Sequence, residues 1–194
     1  MAFLRSSSAG DSGPVLHTQR LTLRLPVSGD YAAWAEMRAQ SRAFLTPWEP
    51  AWTRDELSRS AFRRRIRHYH QELRDETGYA FFLFERQSNA LVGGVSLSNV
   101  RRGVTQSCAI GYWIGRPCAG QGLMSEAVAG VMPFVFDTLQ LNRLEAACLP
   151  HNASSIKVLE KNRFSREGLA KKYLRINGVW QDHILFALLR DEWR

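Results

Sequence analysis

Gly120-Gln121-Gly122, followed at once by Leu123-Met124-Ser125-Glu126-Ala127, has the residue types of a turn that opens onto a helix. Glycine takes positive φ without a Cβ penalty and lets a ligand come close to the backbone. A helix beginning there points unpaired N–H groups and the positive end of its dipole outward. The chemistry available to such a turn is the holding of phosphate oxygens. Most Gly-x-Gly pairs are ordinary turns, so the neighbours of this one decide. Gly-x-Gly-x-x-Gly is absent, and no Gly-Lys-Ser or Gly-Lys-Thr is present to hold a triphosphate with magnesium. A third kind of phosphate site remains.

Other reactive side chains stand further along. Glu145 interrupts an otherwise apolar strand, Leu144-Glu145-Ala146-Ala147-Cys148-Leu149. Asn152 sits where that strand hands over to a helix, the position of an N-cap. Ser155 follows it by one helical turn, on nearly the same face. His68 and His70 are two apart on a helix, so their rings diverge and cannot chelate one metal. Cys108, Cys118 and Cys148 form no Cys-x-x-Cys, and their odd number argues against a disulfide framework. No metal site is read from the sequence.

The elements that must position these residues follow from patterning. Leu21, Leu23 and Leu25 alternate with Thr22 and Arg24, a half-buried strand ended by Pro26. Asp30 can start a helix with Trp34 and Met37 on one face. Thr53-Arg54-Asp55-Glu56 reads as a capping box opening a second helix, with Leu57, Ala61, Ile66, Tyr69 and Leu73 at helical spacing. Arg63, Arg64, Arg65 and Arg67 fall on or near its other faces, either a solvated surface or an RNA contact. Tyr79 to Glu85, Leu91 to Ser98 and Val104 to Ile114 read as an antiparallel meander. The helix after the glycine turn runs to about Leu139, and Pro133 should kink it or remove one backbone bond. Arg143 to Leu149 is the next strand and Asn152 to Asn162 the next helix. Strands Leu169 to Ile176 and Val179 to Leu188 close a hairpin around Asn177-Gly178, residues that tolerate positive φ. Residues 1–14 read as a disordered Ser/Gly-rich leader and 15–194 as a single domain without repeats.

In combination these motifs resemble a known superfamily. Gly111-Tyr112-Trp113-Ile114 running into Gly120-Gln121-Gly122-Leu123-Met124-Ser125-Glu126-Ala127 is similar to motif A of the GCN5-related N-acetyltransferases, the GNAT superfamily. Pro150-His151-Asn152 with Ser155, then Leu159-Glu160-Lys161 and Phe164, resembles motif B. The run Arg166 to Leu174, the tail Asn177 to His183 and the opening Thr18 to Arg24 are similar to the RimJ/RimL branch, the ribosomal-protein N-terminal acetyltransferases. The resemblance spans Leu16 to Trp193.

That resemblance implies an α+β fold of the GNAT (acyl-CoA N-acyltransferase) type. Its mixed, mostly antiparallel central sheet would be splayed between the fourth and fifth strands, Cys108 to Ile114 and Arg143 to Leu149, and flanked by about four helices. It implies acetyl-CoA as cofactor. Backbone N–H groups of Ala119, Gly120, Gln121, Gly122, Leu123, Met124 and Ser125 would hold the pyrophosphate. Tyr112, Trp113 and Ile114 would line the pantetheine and aim one N–H at the thioester oxygen, an effect often worth about 3 kcal/mol. Asn152 would hold the pantetheine or the turn itself. Many members carry a Tyr acid seven residues after this Asn; Leu159 stands there instead. RimL-type members place a Ser where Ser155 lies, which makes it the candidate acid. The attacking amine must be neutral, and an α-amino group with pKa near 8 needs only a modest base. Glu145 is the candidate. The loop Phe44 to Trp52, with Trp48 at its centre, would border the acceptor groove, as would Asp182 and His183. The implied acceptor is the N-terminal α-amine of a ribosomal protein. A small-molecule amine, or a non-catalytic acyl-CoA-binding role in ribosome assembly, are the alternatives.

Composition is compatible with this. The 194 residues are 45% hydrophobic and carry a net charge of +8, enough for a proper core and biased toward acidic partners such as CoA phosphates or a ribosomal surface. The longest apolar run, Ala127 to Phe136, is about half the ~20 residues of a membrane span, and no signal peptide is visible. The expectation is a cytoplasmic protein with no membrane contact.

Overall fold

The structure is a computed structural model and describes residues 13–193. Most of the expected leader, residues 1–12, lies outside the described residues. Eight strands form one sheet: β1 (Val15–His17), β2 (Leu21–Arg24), β3 (Tyr79–Glu85), β4 (Leu91–Arg101), β5 (Ser107–Ile114), β6 (Arg143–Cys148), β7 (Ser165–Ile176) and β8 (Val179–Leu189). Their spatial order is β1-β2-β3-β4-β5-β6-β8-β7, and among the described residues only the β5–β6 pair is parallel. The helices are α1 (Tyr31–Gln40), α2 (Arg42–Leu45), α3 (Arg59–Arg74), α4 (Leu123–Pro133), α5 (Ala153–Lys161) and α6 (Arg190–Trp193). Two of the six, α2 and α6, are single turns, so four helices of ordinary length flank the sheet.

The sheet is covered on both faces. One core contains Leu21, Leu23, Phe81, Leu83 and Ile110 with Val128, Val131 and Val135 from the α4 side and Leu159 of α5. The other packs Trp34 of α1 and Phe62 and Ile66 of α3 on Phe82, Phe84 and Leu91. Two-sided burial explains why β3 reads Tyr-Ala-Phe-Phe-Leu-Phe rather than as an alternating strand.

Four details depart from or extend the sequence expectations. β1 is an additional short strand, paired antiparallel with β2. β5 begins at Ser107 rather than Val104, because Gly103 and Val104 form the turn and Gln106 adopts φ +42°, outside strand geometry. α3 begins at Arg59, and its N-cap is Ser58, whose Oγ accepts from the Ala61 N–H at 3.1 Å. The Thr53 capping box does not form: the Thr53 hydroxyl donates to Asp55 Oδ1 at 2.9 Å, and Glu56 turns to Arg65. Pro133 has no N–H for the next helical bond, so α4 ends there and passes into a π turn, where the Leu139 N–H reaches the Phe134 carbonyl.

Candidate active site

The site is built around the parallel pair. β5 and β6 are in register at only three positions, Ser107 with Arg143, Cys108 with Leu144 and Ala109 with Glu145. Beyond Ala109 the strands part. β5 stays zipped to β4 as far as Ile114, and β6 stays zipped to β8 as far as Cys148, so each keeps one satisfied edge. The Gly115 N–H donates to the Val92 carbonyl on the β4 side. Since N–H groups alternate along an antiparallel strand, those of Tyr112 and Ile114 point the other way, into the gap.

The glycine turn stands at the open end. Gly120 and Gly122 both adopt φ +77°, and Gly122, at ψ 0°, is the N-cap residue of α4. The first helical bond runs from the Glu126 N–H to the Gly122 carbonyl, so the N–H groups of Leu123, Met124 and Ser125 have no carbonyl partner within the helix. The turn is clamped from outside. Arg20 donates to the Gln121 carbonyl at 3.1 Å and to Glu126 at 2.6 Å. Glu126 also accepts from the Thr18 hydroxyl at 2.6 Å and the Arg20 N–H at 2.7 Å. Burial alone would raise the Glu126 carboxyl, but these bonds outweigh it and hold it below its ordinary range. Arg20 is a residue that sequence reading missed; only its fold neighbours reveal the clamp.

Two hydroxyls bridge the gap. The Tyr112 hydroxyl lies 2.8 Å from Ser155 Oγ and 3.3 Å from the Ser155 carbonyl. Asn152 caps α5 by accepting the Ser155 N–H at 3.1 Å, which fixes Ser155 in the first turn. Burial pushes the Tyr112 phenol well above its usual range, despite the bond to Ser155, so it stays protonated. The phenol that motif B lacks at Leu159 is thus present on the facing strand. Its signal was in the sequence as Tyr112, but nothing local shows that it reaches Ser155.

On the α1–α3 face, a cavity of about 490 Å³ ends against Gly111, Tyr112 and Trp113. Gly94 lets Trp113 lie across β4: an added Cβ would sit 2.6 Å from the indole nitrogen. The charged lining is balanced, with Arg38 and Arg65 facing Glu49 and Glu56. Both Glu49 oxygens are engaged by Arg38, at 2.7 and 2.8 Å, and Trp52 Nε1 adds a third bond. Glu56 gives one oxygen to Arg65 at 2.6 Å, while the other has only a 3.4 Å contact with Thr53. Tyr69 and Trp34 complete the wall. Glu49 and Trp52 belong to the loop Phe44 to Trp52 that sequence reading placed at the acceptor groove, whereas Trp34, Arg38, Glu56, Arg65 and Tyr69 were not singled out for it, because they come from separate segments.

The remaining sequence candidates lie elsewhere. Glu145 is on the last paired register, and strand alternation puts it on the same face as Gly111 and Trp113. Its carboxylate is held by Arg143 at 2.8 Å and Arg101 at 3.3 Å, outside the cavity lining. Trp48 packs on His151, 5.5 Å between ring centroids, beside the turn that carries Asn152. Asp182 accepts the Lys172 N–H at 2.8 Å, and His183 is buried with its ring on the Gln181 carbonyl. Neither joins the cavity lining.

A central parallel pair that parts over a glycine turn, within an otherwise antiparallel sheet, defines the GNAT fold class. The profile described as Acetyltransferase (GNAT) domain matches residues 20–165. The chain is 35% identical over 178 residues to the [Ribosomal protein uS5]-alanine N-acetyltransferase of Escherichia coli strain K12, covering 92% of each. Its structure matches that of the ribosomal-protein-S5-alanine acetyltransferase from Vibrio fischeri with a TM-score of 0.85 at 30% identity, over 94% of this chain and 100% of that one. It also matches Mycobacterium smegmatis RimJ in complex with CoA-disulfide, TM-score 0.85 at 31% identity, over 93% and 88%. The chain belongs to the GNAT acetyltransferase family.

Proposed function

We propose that residues 15–194 act as one cytoplasmic N-acetyltransferase domain that moves an acetyl group from acetyl-CoA to the N-terminal α-amine of a ribosomal protein. The observation that carries this reading is the gap between β5 and β6, with unpaired N–H groups along it and at the glycine turn. It fits the elongated, phosphate-bearing acetyl-CoA, which supplies an activated thioester. The relatives named above as ribosomal-protein acetyltransferases support the acceptor class.

In this reading, the turn from Ala119 to Ser125 holds the pyrophosphate with backbone N–H groups, and Gly122 keeps it free of a side chain. Tyr112, Trp113 and Ile114 line the pantetheine arm. The N–H of Tyr112 or Ile114 donates to the thioester oxygen as negative charge develops there. Ser155, hydrogen-bonded to Tyr112, donates the proton to the departing thiolate, and Asn152 orients it. The acceptor amine enters through the cavity on the α1–α3 face. Its ammonium gives up a proton through water to Glu56, the lining carboxylate with an oxygen left uncommitted to any guanidinium. Glu145, engaged by two guanidinia, closes the base of the gap and is the alternative proton acceptor.

A polycationic small substrate would call for an acidic pocket, whereas this lining is charge-balanced. The test is acetyl-CoA turnover against ribosomal N-terminal peptides and a panel of small amines, with mass-spectrometric location of the acetyl group. Acetylation of a peptide α-amine is expected. Turnover confined to small amines would overturn the acceptor assignment, and no turnover at all would overturn the catalytic one.

A further inference from the structure

The β7–β8 hairpin presents a surface the acetyl-transfer chemistry does not use. Among the described residues, the exposed large hydrophobic side chains concentrate there: Leu169, Tyr173, Leu174, Val179 and Trp180, with Trp180 58% and Tyr173 48% exposed. Lys171, Lys172 and Arg175, all exposed, are interleaved with them. The edge is also shaped. Between the pairs Ala170–His183 and Leu174–Gln181, β7 has three residues where β8 has one, so Lys171, Lys172 and Tyr173 form a wide bulge. Lys172 sits in the left-handed region at φ +48°, unusual for lysine, and Asp182 holds it there by accepting its N–H. Bulges of this kind re-aim side chains, and with lysine on an edge strand they oppose pairing with a second copy. At the far end, Arg175 and Trp180 are cross-strand neighbours. The hairpin tip reaches the cavity wall, where the Asn177 N–H donates to the Glu49 carbonyl at 2.9 Å.

We propose that this hairpin binds single-stranded RNA passing over its edge strand, with Trp180 stacking on a base beside Arg175 on one face, Tyr173, which packs on His183, stacking on the other, and Lys171 and Lys172 meeting phosphates at the bulge between them. An anionic polymer with flat apolar bases matches both halves of the patch, whereas an acidic peptide matches only its charge. The source, RNA next to a ribosomal acceptor, rests on the function proposed above; the binding itself does not.

The experiment measures fluorescence anisotropy of a labelled twelve-nucleotide RNA with the full chain, alongside acetyl transfer to a short free peptide. Trp180→Ala is expected to weaken RNA binding about tenfold, in line with the loss of one base stack. Lys171→Glu with Lys172→Glu should flatten the plot of log affinity against log salt by about 1.4, at roughly 0.7 for each phosphate contact. Arg63→Glu with Arg67→Glu, on α3, should leave RNA affinity within twofold. Peptide acetylation should be unchanged in all three variants, which reports intact folding. If Trp180→Ala binds RNA as wild type, if the α3 variant loses as much affinity as the hairpin variants, or if phosphatidylglycerol vesicles bind equally well with the same Trp180 dependence, the proposal is overturned. Failure of RNA binding with peptide turnover intact rejects the surface alone; failure of turnover with RNA binding intact rejects the catalytic reading alone.

Discussion

The gap between β5 and β6 and the cavity on the α1–α3 face meet at Gly111 to Trp113, yet they are built by opposite means. The gap is a backbone site. It depends on where two strands stop pairing and on two glycines at φ +77°, and its contributors are main-chain groups of β5, β6 and the turn between them. The cavity is a side-chain site. Arg38, Glu49, Trp52, Glu56, Arg65 and Tyr69 come from α1, the following loop and α3, and meet β4 and β5 only in three dimensions. A backbone site tolerates change in side-chain identity but little change in local conformation. A side-chain site behaves the other way, and this suits a common donor combined with an acceptor that varies.

That contrast can be attacked from both sides. The largest effect is expected where the two sites touch. Replacing Tyr112 with Phe and Ser155 with Ala together should lower kcat by about a hundredfold, the scale of losing a general acid. CoA affinity, measured by calorimetry, should change only a few-fold. A double variant with near-normal kcat would remove the hydroxyl pair from the mechanism.

Next comes the glycine turn. Gly122→Val forces a β-branched residue into the left-handed region, which costs an L-residue about 1–2 kcal/mol. If the turn yields instead, CoA binding should weaken about tenfold, the equivalent of 1.4 kcal/mol. Wild-type CoA affinity in this variant would break the claim that backbone conformation makes the site.

On the cavity side, Glu56→Gln should lower kcat/KM for a peptide about tenfold at pH 7 with CoA affinity unchanged, less than a directly contacting general base contributes because the proton passes through water. Glu145→Gln should change it less than threefold. The reverse order would return the proton-accepting role to Glu145.

The smallest effect concerns the clamp on the turn. Glu126 is held below its ordinary value of 4.5 by Thr18 and Arg20, against the opposing effect of burial. A carboxyl lowered in the folded state contributes stability that is present above its unfolded pKa and lost as pH falls through the folded one. Glu126→Gln should therefore lower Tm at pH 7, and the gap to wild type should close as pH drops below about 4.5. A gap that does not narrow at all as pH falls from about 5 to about 3 would mean that Glu126 acts by packing rather than by charge.

The elements that were legible are those whose signal is local. Asn177-Gly178 has φ +44° and +83°, both residues suited to the hairpin turn they make. Asn152 caps α5, and the α-helix gives way to a π turn after Pro133, where proline has no N–H to give. The misread start of α3 shows the limit. Thr53 to Glu56 has the composition of a capping box, but Arg65 lies within reach of Glu56 once the helix docks, and Ser58 then serves as the cap. Asp182 and His183 are adjacent in sequence, and by resemblance both read as groove residues. One instead braces a bulge and the other is buried beneath Tyr173.

By itself the sequence determined the alternation, caps, turns and glycines, hence the strands, the helices and the phosphate-holding turn, because each depends on the conformational preferences of a few consecutive residues. Only the tertiary structure decided that Tyr112 would reach Ser155, that Arg20 would clamp Glu126, and that four charges from α1, the following loop and α3 would balance around one cavity. The first two join residues far apart in the chain, and the third depends on how α3 docks against α1 and the sheet. Which partner a charged or hydroxyl group finds is settled by how sheet and helices dock, and no local preference encodes it.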